Sequence, residues 1–327
     1  MKILHMPLTV PGSEQVGQEK GLREVFGEGY LKFDYLPMEG QQGKEATNQT
    51  LVNIVKEFKP DIVWAQIQET TTITPKTWET IRKENPNLWL TTWSGDARDY
   101  VPQNLQQILP FFDIFYNDTD QVDMYKPYLE SCRYEFMPIA VDPDEATDYS
   151  HPTGPVPEIV FIGNHYANTF SNGQFRKELM MALSREFGDK FGVYGTGWNQ
   201  GEVNWVGMCP VKHQGAYYNR AKVVVSVDHI KGILHWSERL IWAMMSGTPV
   251  IVEYQPGIEE RLTSINTIAS GPSTDGFIAA CHDALGDELG WKFKKVAEYA
   301  KIEAMSKHTW KQRAERIKLD YEAGKQN

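Results

Sequence analysis

Short apolar runs alternate along this chain with longer stretches in which apolar residues recur every three or four positions. KILHM at residues 2–6, LKFDYL at 31–36, DIVWAQIQ at 61–68, LWLTTW at 88–93 and DIFYN at 113–117 have the length and the β-branched or aromatic content of strands. Between them, residues 14–26, 44–58, 75–84 and 102–109 carry helical spacing, with Pro75 where a helix starts. Strands alternating with helices of this length predict right-handed βαβ units on a parallel sheet, a Rossmann-like half over residues 1–140.

The pattern then breaks. MPIAVDPDEATDYSHPTGPVP, residues 137–157, holds five prolines and several acids, the composition of an extended linker, placed at 141–157. Beyond it the alternation restarts: EIVFIG (158–163), FGVYG (191–195), residues 222–227 and TPVIVEY (248–254) read as strands, and residues 174–187 and 237–245 as helices, the second stopped by Gly247. A second Rossmann-like α/β half therefore spans 158–290. Residues 291–327 read as one or two amphipathic helices, one of which is expected to pack back on the first half.

A length of 327 residues suits two domains, and 12% aromatic with 23% charged residues suits packed cores. The opening MKILHMPLTVPG lacks the apolar stretch of a signal peptide, and no run reaches the ~18 apolar residues of a membrane span. Cys132, Cys209 and Cys281 are odd in number and fall in no metal or redox spacing. These features lead us to expect a cytoplasmic protein with no membrane partner. A net charge of −10 weighs against a surface built for unspecific nucleic-acid binding but leaves a local basic cleft open. There is no GxGxxG after the first strand, no GxxxxGK[ST] and no GxSxG, so dehydrogenase, P-loop and serine-hydrolase chemistry lose their usual signatures.

Two places suit a diphosphate, whose oxygens require positive charge and oriented N–H groups. In SNGQFRKEL, Gly173 lets the backbone approach and Arg176 stands in the first turn of the next helix. In HWSERL, Ser237 is the expected N-cap and Arg239 follows in the first turn. Spacing alone slightly favours reading both arginines as surface residues on ordinary helices. Gly163 and Asn164 follow a strand, where open α/β sheets hold ligands, and Gly195 and Gly197 in VYGTGW permit close approach, with Trp198 read as core. Asp96 and Arg98 in TTWSGDARDY follow another strand; Asp96 is either a base or a turn cap. Asp228, His229 and His235 in VDHIKGILHW read as pocket or core residues in preference to a metal site, so a divalent metal is left open but not indicated.

The elements MPIAVDP, EIVFIGN, FRKELMMAL, VYGTGW and SERLIWAMMSGTPVIVEYQPG, in this order over residues 137–265, resemble the C-terminal half of GT-B glycosyltransferases. The likeness is greatest to the group that includes spore-maturation-type enzymes and phage DNA β-glucosyltransferases; the HTWKQRAERI tail fits more loosely. This resemblance implies two Rossmann-like domains facing across a cleft and a nucleotide sugar, such as a UDP-sugar, as co-substrate. It places Arg176 and Arg239 on the donor diphosphate, and Gly163, Asn164, Gly195, Ser237 and Glu238 join them as donor-binding residues by their positions around that site. It gives Asp96 the role of base in an inverting transfer, with Arg98 on the acceptor side. The implied acceptor is a 5-hydroxymethylpyrimidine in double-stranded phage-type DNA, which would place the enzyme in a host cytoplasm. A protein, glycan or small metabolite is the alternative acceptor, and a non-catalytic sugar-nucleotide-binding module the alternative class. The sequence departs from the retaining members, which carry a spaced pair of glutamates: here those positions are Leu234 and Trp242, and Glu238 lies on another helical face.

Overall fold

The computed structural model describes all residues except 11–14, 151–153, 167–168, 269–272 and 326–327. The chain divides into two compact units, Met1–Pro138 with Trp310–Asn327, and Ile139–Thr309.

In the first unit the order is β1 (Ile3–Met6), α1 (Val16–Phe26), β2 (Tyr30–Lys32), α2 (Tyr35–Gln42), α3 (Lys44–Phe58), β3 (Ile62–Ala65), α4 (Pro75–Glu84), β4 (Trp89–Ser94), α5 (Gln103–Ile108), β5 (Ile114–Asn117), α6 (Val122–Leu129) and β6 (Arg133–Phe136). The strands form one parallel sheet, ordered β2-β1-β3-β4-β5-β6. The four residues of β1 and of β3 are all buried, as expected where helices cover both faces of a parallel sheet. Thr74 caps α4 by accepting from the Thr77 N–H, with Pro75 pre-set for the first turn.

The second unit holds α7 (Pro143–Ala146), β7 (Ile159–Ile162), α8 (Gly173–Phe187), β8 (Phe191–Tyr194), β9 (Trp205–Gly207), α9 (Gln214–Arg220), β10 (Val223–Ser226), α10 (Glu238–Ser246), β11 (Val250–Glu253), α11 (Ile258–Arg261), β12 (Asn266–Ile268), α12 (Thr274–Leu285) and α13 (Gly290–Lys307). Its sheet, ordered β12-β11-β10-β7-β8-β9, is again parallel. The order reverses between β7 and β10, whose carboxyl ends therefore frame the crevice in which such sheets hold ligands. Gly247, at φ 74°, ends α10 in the left-handed conformation and turns the chain into β11.

The last helix, α14 (Trp310–Gly324), belongs to the first unit, as the amphipathic tail suggested. The Trp310 ring meets Trp93 edge-on at 5.1 Å, Tyr116 Oη donates to Asp320 at 2.8 Å, and Arg313 Nε donates to the Pro138 carbonyl at 2.8 Å.

Several elements differ from expectation. LKFDYL alternates like a strand, but β2 ends at Lys32 and Tyr35 opens α2. Asp34 turns the chain by accepting from Thr9 Oγ1 at 2.6 Å and pairing with Lys32 at 3.0 Å, while the buried Tyr35 hydroxyl donates to the Gln66 carbonyl at 2.8 Å. Helix α1 begins at Val16; the expected start at Glu14 lies outside the described residues. Part of the proline-rich segment, 151–153, lies outside them too. The strands the pattern missed, β6, β9 and β12, are short and sit on or beside sheet edges, where apolar periodicity is weak.

Candidate functional site

The carboxyl ends of β7, β10 and β11 and the amino ends of α8 and α10 gather one buried polar cluster. Arg176, in the first turn of α8, is 1% exposed, and none of its three guanidinium nitrogens has a hydrogen-bond partner among the described residues. It lies over the Phe161 ring at 4.8 Å. Burial, and then the nearby Arg239, pull its pKa down to about 9, which still leaves it cationic at neutral pH. Arg239 leans toward the same ring from α10, at 5.8 Å, and approaches Asp228 at 3.6 Å.

Both guanidinium groups converge on Gly163. A side chain there would push Arg176 Nη2 aside and crowd Arg239 Nη1 at 3.1 Å, so glycine lets both guanidinium groups approach this strand end. Gly195 serves the adjoining turn: its φ of 132° suits glycine, and a side chain would strike the Gly163 carbonyl.

Ser237 sits at the N-cap position in extended conformation, yet the expected side-chain cap bond is not made and its buried hydroxyl has no partner among the described residues. The start of α10 thus presents its N–H groups and this hydroxyl to whatever fills the space beside the arginines. Burial raises the Glu238 carboxyl above its ordinary value. Asn164 acts as a brace, since its Oδ1 accepts the Thr196 N–H at 2.9 Å and so joins the β7 and β8 turns. Trp198 is core, as expected, 9% exposed and donating to the Gly163 carbonyl at 2.7 Å.

The structure adds residues the sequence did not single out. Asn172, just before α8, donates through Nδ2 to the Asp228 carbonyl at 2.9 Å and to Glu253 Oε2 at 2.7 Å. Glu253 ends β11; burial and the neighbouring Asp228 push its pKa up to about 7. Burial also works to raise Asp228, but His235 and Arg239 outweigh it and hold that carboxyl below its usual range. The only local signal for Glu253 was an acid closing the apolar strand TPVIVEY. Asp228, His229 and His235 offer ligand atoms within 4.8 Å of one another, the one group among the described residues with metal-like spacing. Two guanidinium groups beside it repel a cation and attract an anion.

In the first unit, Asp96 follows β4 and forms an ion pair with Arg98. Arg98 also donates to Glu69 Oε1 at 3.0 Å, and Tyr100 Oη donates to the same oxygen at 2.7 Å. Burial opposes the Arg98 charge, but Asp96 and Glu69 hold its pKa above the ordinary value. Arg98 therefore orients carboxylates. The Asp96 side chain stays 37% exposed, so its oxygens remain reachable. Asp118, fully buried just after β5, is a neighbouring acid that the sequence reading passed over. A separate cleft of about 610 Å³, lined by Lys56, Lys59, Glu84, Tyr321 and Lys325 among others, opens at the amino ends of β3 and β4, the end of a parallel sheet where ligands are not usually held.

Comparison with known proteins agrees with this architecture. A glycosyltransferase from Rickettsia africae ESF-5 superposes with a TM-score of 0.66 at 13% identity, covering 98% of this chain and 98% of its own. Sucrose-phosphate synthase from Thermosynechococcus elongatus gives 0.63 at 13%, covering 98% of each chain. A trehalose-6-phosphate structure from E. coli bound with UDP-2-fluoro glucose gives 0.63 at 11%, covering 98% of this chain and 99% of that one. The fold is GT-B.

At these identities the likeness to solved GT-B structures is one of fold. Residues 176–318 match the family model described as glycosyl transferase-like. No curated protein matches the sequence. Family match and fold agree on a glycosyltransferase of the GT-B type. Among the described residues no helix is long and apolar enough to cross a membrane.

Proposed function

We propose that this GT-B chain transfers a sugar from a UDP-sugar to a hydroxyl acceptor, holding the donor diphosphate between Arg176 and Arg239. The observation that carries the donor reading is the pair of guanidinium groups at Gly163, one of them buried with no acceptor among the described residues. A buried charge lacking a partner is strongly unfavourable, and a diphosphate supplies both the charge and the oxygens these groups lack. A UDP-sugar analogue bound to one GT-B structure supports the choice of nucleotide. Arg239→Ala should weaken UDP binding by about 1.5 to 3 kcal/mol, roughly ten- to a hundred-fold, when titrated by calorimetry. Unchanged affinity in a folded variant would remove Arg239 from the site.

We propose an inverting reaction with Asp96 as the base. Leu234 and Trp242, the positions of the retaining enzymes' glutamates, are buried apolar residues here. The acceptor we propose is a 5-hydroxymethylpyrimidine in duplex DNA, on the strength of the motif order in residues 137–265. Duplexes carrying 5-hydroxymethylcytosine or 5-hydroxymethyluracil, incubated with UDP-sugars, should gain a sugar mass, and NMR of the product should show the inverted anomer. Transfer to a peptide, glycan or small metabolite with none to DNA would move the acceptor to that class. Tight nucleotide binding with no transfer to any of them would favour a binding module.

A further inference from the structure

His229 stands beside the two arginines and has no part in the reading above. It follows β10, and its backbone carbonyl accepts the Asn172 N–H at 2.9 Å, which fixes it next to α8. Its ring packs on Phe170 at 4.5 Å and lies 5.7 Å from Tyr166 and 5.9 Å from His235. Its Nε2 is buried with no hydrogen-bond partner among the described residues. The charged and titratable groups around it are Asp228 on its own segment, His235 ahead of α10, Arg239 on α10, Arg176 on α8 and Tyr166 after β7; Glu253 of β11 and Lys231 lie one layer further out.

We infer that His229 is a proton-accepting ligand of the donor diphosphate: it is neutral in the empty site and takes a proton from solvent when the anion enters, donating it as a hydrogen bond. This rests on the donor reading above and deepens it. Burial, then His235 and the two guanidinium groups, oppose a charge on the ring and outweigh Asp228, so its pKa is depressed to about 3. An entering diphosphate reverses the sign of the local field, since it cancels the two arginines and offers the orphaned Nε2 an acceptor. A protonated His229 would then add a third positive group where negative charge grows as the sugar leaves. The sign follows from linkage. The bound-state pKa lies above the free one, so protons are taken up at pH values between the two, and affinity falls as pH rises through that window.

The test is calorimetry with UDP-glucose, whose diphosphate diester does not itself titrate near neutrality, at pH 6.5 in buffers of differing ionisation enthalpy. We expect the wild type to take up about half to one proton per donor, with Kd rising up to about tenfold per pH unit. His229→Gln should abolish the uptake while still binding. Should that variant fold or bind poorly, imidazole nitrogen NMR of the wild type decides: His229 should pass from a neutral tautomer to the doubly protonated form on adding UDP-glucose. Binding without proton uptake, uptake that survives His229→Gln because His235 or Glu253 carries it, or a ring that stays neutral would each overturn the inference and leave the donor reading standing. Failure to bind UDP-glucose at all would overturn both.

Discussion

Replacing Arg176 by methionine should make the unliganded protein more heat-stable and at the same time remove most of its affinity for UDP. The side chain is 1% exposed and none of its three nitrogens has a hydrogen-bond partner among the described residues, so its buried charge rests on the Phe161 and Tyr166 rings and on the fields of Asp228 and Glu253 without a direct hydrogen bond. Exchanging a buried ionic group for an apolar one of similar reach commonly stabilises by about 1 to 4 kcal/mol. In a unit of this size that amounts to several degrees, at roughly 2 to 4 °C per kcal/mol. The same exchange removes a charge-assisted contact to the diphosphate, so UDP affinity should fall roughly ten- to a hundred-fold. Scanning calorimetry of the unliganded variant and titration with UDP read the two effects separately. A variant that melts lower and binds UDP normally would show Arg176 to be a structural prop. The two effects together would mark a site whose strain is relieved by its ligand.

The second large effect is expected at Asp96. Asp96→Asn keeps the shape of the side chain and removes its basicity, and loss of a positioned base slows proton removal by about 100- to 10,000-fold. Nucleotide affinity should stay within about twofold, because the proposed diphosphate ligands belong to the other unit. The ion pair with Arg98 makes the experiment sharper. It directs the carboxylate toward the guanidinium, so Asp96 can serve as base only if the acceptor hydroxyl reaches the carboxylate beside that ion pair. If the aspartate merely orders the turn after β4, asparagine should replace it with little change, since the two cap about equally well. Single-turnover kinetics would show which holds, because product release cannot mask the chemical step there. Near-normal turnover of Asp96→Asn excludes it as the base.

Much of the architecture could be read from periodicity, because a parallel sheet buried on both faces writes continuous apolar runs such as IVWA and VIVE into the chain. The edges were not legible. RYEF alternates charged and aromatic residues on a half-exposed strand, and LKFDYL looked like a longer strand because the turn at Asp34 depends on Thr9 and Lys32, which local spacing does not reveal. At the site, the sequence could point to Arg176 and Arg239 as first-turn arginines but could not show that they converge, since they lie on separate helices and meet at Gly163 and the Phe161 ring only in the folded sheet. The Ser237 cap bond failed to appear although the residue type and position were right. Asn172 and Glu253 were invisible for a related reason: their partner relations span 81 residues, and only the folded sheet brings them together.

Helix α14 gives the chain a direction in time. Translation delivers β1 to β6 first, yet the Trp93 and Tyr116 side chains in that sheet find their partners on Trp310 and Asp320. Residues 139–309 can leave the ribosome and close around their own sheet while the earlier unit still lacks a wall. The unit that starts first is therefore completed last, with Trp93 and Tyr116 waiting for their α14 partners through the whole of the intervening synthesis.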